Sequence, residues 1–147
     1  MIRFVDGNLF DNKYDIIVNT INCAGVMGKG VALEFKKRYP KMFREYRKVC
    51  LKNEIRPGDI WVWKRDDEWV VNFATKDHWR FPSKYSYIDD GLEKLRTYLS
   101  GFGNISVGIP PLGCGNGGLD WNRVKYTIVE KLKYLECDIT LFNPNSV

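Results

Sequence analysis

A chain of 147 residues, 44% apolar and 28% charged, is long enough to bury its own core and reads as one domain over residues 1–147. It has no run of 18 apolar residues, which excludes a membrane-spanning helix. Its four cysteines lack C-x-x-C spacing and are joined by a single histidine, which argues against a zinc site or a disulfide framework. The net charge of +5 favours an acidic partner such as nucleic acid without requiring one.

Met1–Asp6 carries an acid where a signal peptide needs an apolar stretch, so a cytoplasmic location is expected, as a monomer with no membrane partner. Ile2–Val5 predicts a short strand and Asp6-Gly7-Asn8 a turn. Ile16-Ile17-Val18 predicts a strand buried on both faces. A glycine-rich stretch follows, Asn19 to Gly30, and then a helical face of Val31, Ala32 and Phe35 that Pro40 stops. A second helix is predicted over about Met42–Leu51. Trp61–Trp63 and Trp69–Phe73, separated by a charged turn over Lys64–Glu68, predict a β-hairpin. Ser86-x-x-Asp89 resembles a capping box, and Ile88, Leu92, Leu95 and Leu99 supply the apolar face of a helix that Gly101 and Gly103 end. Ile105–Ile109 predicts a strand leading into a second glycine-rich stretch, Pro110 to Trp121. Asp120 is placed as the N-cap of a last helix with Val124, Ile128, Leu132 and Leu135 on one face, and Ile139–Phe142 closes as a strand.

Strands alternating with helices around one hairpin imply an α/β fold, a three-layer α/β/α arrangement with a mixed, mostly parallel central sheet. Ligands bind such sheets beyond the carboxyl ends of the strands, where both glycine stretches fall. Backbone N–H groups at a strand, glycine loop and helix junction favour an anion, so two such loops point to one phosphate-rich ligand gripped from two sides. Neither loop has Walker spacing, and Gly113-x-Gly115-x-x-Gly118 lacks the acid and second strand of a dinucleotide fingerprint. Cys23 and Cys114 lie in the loops but have no paired base in sequence, so they read as plain thiols.

Lys76 sits just past a predicted strand, at the same sheet edge. It reads either as an exposed lysine or as a nucleophile or anion ligand whose pKa must fall through burial or nearby cations. His78, Trp79, Arg80 and Phe81 interleave rings and charge as a base-stacking surface would, although large aromatics are as readily core residues.

With Asp6–Leu9, Val18–Asn22, Gly25–Ala32, Asn72–Lys76 with His78–Arg80, and Pro110–Trp121 in view, the chain resembles the macrodomain family of ADP-ribose-binding folds over nearly its whole length. Within that family it is similar to the DarG antitoxin branch, related to the terminal ADP-ribose glycohydrolases, whose members remove ADP-ribose from DNA bases. The resemblance implies that Asn8 and Leu9 meet the adenine, although Asn8 stands where many macrodomains have aspartate. It implies that Asn22 bonds the distal ribose, and that Gly25, Val26, Met27, Gly28 and Gly30, with Gly113, Cys114, Gly115, Asn116, Gly117 and Gly118, hold the diphosphate. Lys76 matches the catalytic lysine, with His78, Trp79 and Arg80 near the DNA. The terminal ADP-ribose glycohydrolases carry an acid in the second loop, where this chain has Asn116-Gly117-Gly118, so the chemistry is expected to fall on Lys76. ADP-ribosylated single-stranded DNA is the implied substrate and ADP-ribose the ligand and product, with no cofactor or metal. Phosphatase action on ADP-ribose-1″-phosphate, hydrolysis of protein ADP-ribosyl esters, and non-catalytic reading of ADP-ribose stay open as alternatives. DarG-type antitoxins carry a further domain that engages the toxin, so toxin binding is not implied by these residues.

Overall fold

In the computed structural model, which describes residues 1–144, the apolar runs form strands β1 (Ile2–Val5), β2 (Ile16–Asn22), β3 (Ile60–Arg65), β4 (Glu68–Lys76), β5 (Ser106–Ile109) and β6 (Asp138–Phe142). The helices are α1 (Gly30–Arg38), α2 (Pro40–Leu51), α3 (Tyr85–Leu99) and α4 (Trp121–Leu132). The last three residues of the predicted domain lie outside the described residues. The strands make one six-stranded sheet in the order β1-β6-β5-β2-β4-β3, parallel throughout except for the β3–β4 hairpin.

Side-chain alternation along the strands divides the core in two. Val71 and Phe73 of β4 face α3 and α4 together with Val18, Ile109 and Leu141, and they pack on Ile88, Leu92, Leu95, Leu99, Val124, Ile128 and Leu132. Val70 and Ala74 face the other way, towards Phe35 of α1 and Met42, Tyr46 and Cys50 of α2. This is the expected three-layer sandwich. The second face also holds a polar pair: Asn19 Nδ2 of β2 donates to Asn72 Oδ1 of β4 at 2.9 Å, both fully buried between Met27 and Met42. A buried amide pair across two neighbouring strands fixes their register, because a slip would strand both amides without partners.

Four local expectations are corrected. Pro40 does more than stop α1; it occupies the first turn of α2, where its missing N–H costs nothing and its φ is preset, so α2 begins before Met42. The hairpin strands run longer than predicted, leaving Asp66 and Asp67 between them, and β4 continues through Thr75 to Lys76 because β2 pairs with it along that length. Lys76 is therefore the last residue of a strand and not a loop residue. The Ser86 capping box does not form: α3 starts at Tyr85, and the capping position, Lys84, makes no side-chain cap bond. Tyr85 is tied down by a long-range contact, its hydroxyl accepting from the Asp120 N–H at 3.1 Å, and that contact outweighs the local signal. Finally, α3 ends at Leu99 before either glycine, and α4 ends at Leu132, leaving Leu135 half-buried beyond it. Asp120 does cap α4, accepting from the Arg123 N–H at 3.0 Å.

One glycine in the interior of α3, Gly91, is buried against the Phe73 ring, which fills the space where a side chain would stand.

Candidate active site

Strands β2, β4 and β5 lie side by side and parallel, so their carboxyl ends reach the same edge. β2 ends at Asn22 and runs into the first glycine loop. β5 ends at Ile109 and runs through Pro110-Pro111 into the second. Between β2 and β4 the register shifts at the last pair: Ile21 lies opposite Ala74 and Asn22 opposite Lys76, so Thr75 is the extra residue of a bulge. Bulges beside a site re-aim the side chains that follow. The Cys23 N–H donates to the Asp77 carbonyl at 2.9 Å, which carries the pairing one step past the strand ends.

A cavity of about 600 Å³ opens at this edge, within the range of small-molecule sites. Asn22, Val26, Gly28 and Gly30 line it from the first loop, Gly113, Cys114, Gly115, Asn116 and Gly117 from the second, and Lys76 and Trp79 from the end of β4. The loops close on one another: a Cβ built on Gly30, whose φ is +56°, would lie 3.6 Å from Asn116 Nδ2. The segment after β4 braces the second loop, with the Ser83 N–H donating to the Gly117 carbonyl at 3.0 Å; a Cβ on Gly117 would stand 2.5 Å from Ser83 Oγ. Glycine is needed at Gly117 for close approach and at Gly30 for its left-handed backbone.

The remaining expected contacts lie outside this lining. Asn8 caps a single 3-10 turn over Leu9–Asp11, its Oδ1 accepting from the Phe10 N–H at 2.8 Å. Leu9 is buried in the α1–α2 half of the core, as is Met27. Gly25 lies on the far side of the first loop against α2, and Gly118 is exposed. His78 and Arg80 are not in the lining, although they flank Trp79, which is. Trp79 and Phe81 are exposed, 45% and 60%, rather than core residues. The His78 ring lies 5.3 Å from the Trp79 ring and 5.6 Å from the Phe81 ring, with the Arg80 guanidinium 4.8 Å over Trp79.

Asn22 is the organiser of the first loop. Its Oδ1 accepts from the Ala24 N–H at 2.9 Å and its Nδ2 donates to the Val26 carbonyl at 2.8 Å. The buried Tyr46 hydroxyl of α2, shared between the Asn22 carbonyl at 2.7 Å and Oδ1 at 3.0 Å, holds the residue from below. The second Nδ2 proton has no protein partner among the described residues and is the one left for a ligand.

Lys76 Nζ lies 3.4 Å from the Trp79 carbonyl, and partial burial together with the nearby Lys29 ammonium holds its pKa below the ordinary lysine value. Lys29 and Thr75 line the same cavity and were not singled out from the sequence. The charge of Lys29 inside the first glycine loop was the signal available for it. Thr75 gave none, because its place depends on the β2–β4 register.

The loop thiols are poor nucleophiles. Burial, and secondarily Cys50, pushes the Cys23 thiol up to about 12, and burial with Asp120 pushes Cys114 up to about 11. At pH 8 roughly one Cys114 in a thousand is a thiolate, against about a quarter of an ordinary cysteine. Iodoacetamide at pH 8, followed by mass spectrometry, is therefore expected to label both loop cysteines at least tenfold more slowly than a free thiol. Among the described residues no group of three or more His, Cys, Asp or Glu is placed to hold a metal ion, and no helix is long and apolar enough to cross a membrane.

The macro domain family profile matches residues 18–128, a span that contains both glycine loops and Lys76. This chain belongs to the macro domain family. The macrodomain is 43% identical over 150 residues to a DNA ADP-ribosyl glycohydrolase of Mycobacterium tuberculosis, an alignment covering 99% of this chain and 43% of that protein. It superposes on the macrodomain of Thermus aquaticus DarG with a TM-score of 0.91 at 41% identity, covering 98% of this chain and 99% of that one. On Thermosipho africanus DarTG in complex with ADP-ribose the TM-score is 0.88 at 28% identity, covering 99% of this chain and 42% of that one. The DarG likeness implied by the loop motifs is thus met in both sequence and fold. The macrodomain spans less than half the length of the curated DNA ADP-ribosyl glycohydrolases it matches.

Proposed function

We propose that this macrodomain removes ADP-ribose from nucleobases of single-stranded DNA, with Lys76 as the attacking group. The observation that carries the reading is the position of Lys76: a lysine of lowered pKa in the wall of the cavity that both glycine loops enclose, opposite Asn22 across a strand pair. The backbone N–H groups of the two loops would hold the diphosphate, and the unused Nδ2 proton of Asn22 the distal ribose. Asn8 and Leu9, near the start of the chain, are the proposed adenine contacts. In the reaction the Nζ lone pair attacks the anomeric carbon, on the closed ring or on a ring-opened iminium form still joined to the base nitrogen. The bond from that carbon to the base nitrogen breaks, and the base leaves with the electron pair and takes a proton. Water then hydrolyses the lysine adduct to free ADP-ribose and restores the amine. Holding the sugar by its diphosphate converts this to an intramolecular-like attack. No carboxylate stands in the Asn116-Gly117-Gly118 stretch to act as a base, which leaves Lys76 as the titratable group at the β4 end of the cavity.

The test is incubation with single-stranded oligonucleotides ADP-ribosylated on thymidine or guanosine, beside an ADP-ribosylated protein ester and ADP-ribose-1″-phosphate. Release of ADP-ribose from the oligonucleotides is the expected result. Turnover confined to the ester or the phosphate would refute the DNA assignment, and binding of ADP-ribose with no turnover of any substrate would make the domain a reader.

A further inference from the structure

Charge is distributed unevenly along this chain. Residues 29–52 hold nine of its 23 Lys and Arg but two of its 18 Asp and Glu, so that segment carries +7 and the remainder −2. The fold gathers the segment into one body, with α1 packed on α2 and on β2. Lys36, Lys37, Lys41, Arg44, Arg47 and Lys48 are all exposed on it. Of the two acids, Glu34 pairs with Arg38 of the same helix at 3.6 Å and Glu45 accepts from the Trp63 indole, so neither faces Lys36 or Arg47 as an ion-pair partner. The positive charge of the whole chain is therefore concentrated on one helical pair.

A second cavity, of about 320 Å³, opens between this pair and the first glycine loop. It shares Val26 and Gly28 with the larger cavity, so the loop is the wall between the two. Inside it, Lys36 Nζ lies 4.5 Å and the Arg47 guanidinium carbon 6.0 Å from the centre of the Phe43 ring. No carboxylate lines it among the described residues. Two cations converging on one ring without a counter-charge repel each other, and a bound anion relieves that repulsion. Cations interleaved with an aromatic surface are also what a single-strand groove offers.

We propose that the α1–α2 face is the track for the phosphodiester backbone of single-stranded nucleic acid. The smaller cavity takes a nucleotide neighbouring the modified one, its phosphate between Lys36 and Arg47 and its base against Phe43. The placement of that nucleotide rests on the proposed activity, because the modified residue must occupy the larger cavity. An acidic protein would answer the charge but would not need an aromatic pocket that shares a wall with the ADP-ribose cavity.

The test uses fluorescence anisotropy with an unmodified, labelled oligothymidylate of about 12 nucleotides, which needs no turnover. The K36E/R47E double variant is compared with K125E/K133E, which changes net charge equally on the opposite face at α4. Both variants are first matched to the parent in thermal melting. The parent is expected to bind with strong salt dependence. K36E/R47E should weaken binding at least tenfold and flatten the log–log salt slope by about 0.7, the loss of the one single-strand phosphate held between the two cations. K125E/K133E should change affinity less than threefold. Equal losses in both variants, no loss in either, or equal competition by polyglutamate would each overturn the assignment. If the oligonucleotide binds as expected but no modified DNA is turned over, the activity reading falls and the surface stands. If modified oligonucleotide and modified mononucleoside are turned over with the same KM, unchanged by K36E/R47E, the surface falls and the activity stands.

Discussion

Lys76→Ala is expected to slow ADP-ribose release from modified DNA by roughly three orders of magnitude or more, about 4 kcal/mol of transition-state stabilisation, while ADP-ribose affinity moves less than about threefold. The separation follows from position. The amine stands at the end of β4, whereas the diphosphate is assigned to backbone N–H groups of loops that alanine at Lys76 does not touch. Lys76→Arg is the sharper variant: it keeps the cation but cannot become neutral, so it should be as inactive as alanine if the amine is a nucleophile and largely active if only its charge matters. The direction of the pKa shift adds a pH signature. Burial and then Lys29 lower the Lys76 pKa, so the neutral, reactive fraction at pH 7–9 exceeds that of an ordinary lysine. The single-turnover rate should rise about tenfold per pH unit and level off at a pH below 10.5. Lys29→Gln should move that plateau to higher pH by removing the second cause. A flat profile, or a Lys76→Arg variant with parental rates, would rule out amine attack.

Gly91→Ala is expected to destabilise the fold by about 2 kcal/mol, lowering Tm by roughly 6 °C. The sign is the informative part, since the same change in an open helix stabilises by up to about 1 kcal/mol. Here the new methyl would overlap Cζ and Cε1 of the Phe73 ring and lie 3.0 Å from Cε2. Phe73 is fully buried between β4 and α3 among Val71, Ile88 and Leu92, so the ring has nowhere to move. Phe73→Leu removes the ring atoms that clash. Alone it should cost about 1–2 kcal/mol through a small void; combined with Gly91→Ala it should be more stable than the sum of the two single losses. Urea melts of the four proteins measure the coupling, and additive losses would show that the contact does not govern the helix-to-sheet distance.

What could be read from the sequence was what short-range pattern controls. Ile88, Leu92, Leu95 and Leu99 are all almost wholly buried on α3, as their spacing predicts. Both glycine loops fall at parallel strand ends and line one cavity, because strand, loop and helix junctions are local. The misses are all long-range. β4 reads as ending at Phe73 because Thr75 and Lys76 are polar; they are strand because β2 pairs with them. Tyr46, distant in sequence from Asn22, has no local feature that announces the hydrogen bond shaping the first loop. The exposure of Trp79 and Phe81 is likewise set by what the surrounding loops leave uncovered.

The β2–β4 register has a mechanical consequence. Asn22 and Lys76 sit opposite each other on central strands, with an amide pair buried behind them and the Cys23–Asp77 bond just beyond. Their separation is set by the pairing of the two strands. On the proposed function, any adjustment around a diphosphate is then expected in the two glycine loops rather than in the strands. Affinity and reactivity are therefore expected to be separable by mutation. On that reading, changes in the loops should alter how tightly a substrate is held, whereas changes at Lys76 should alter what happens once it is held.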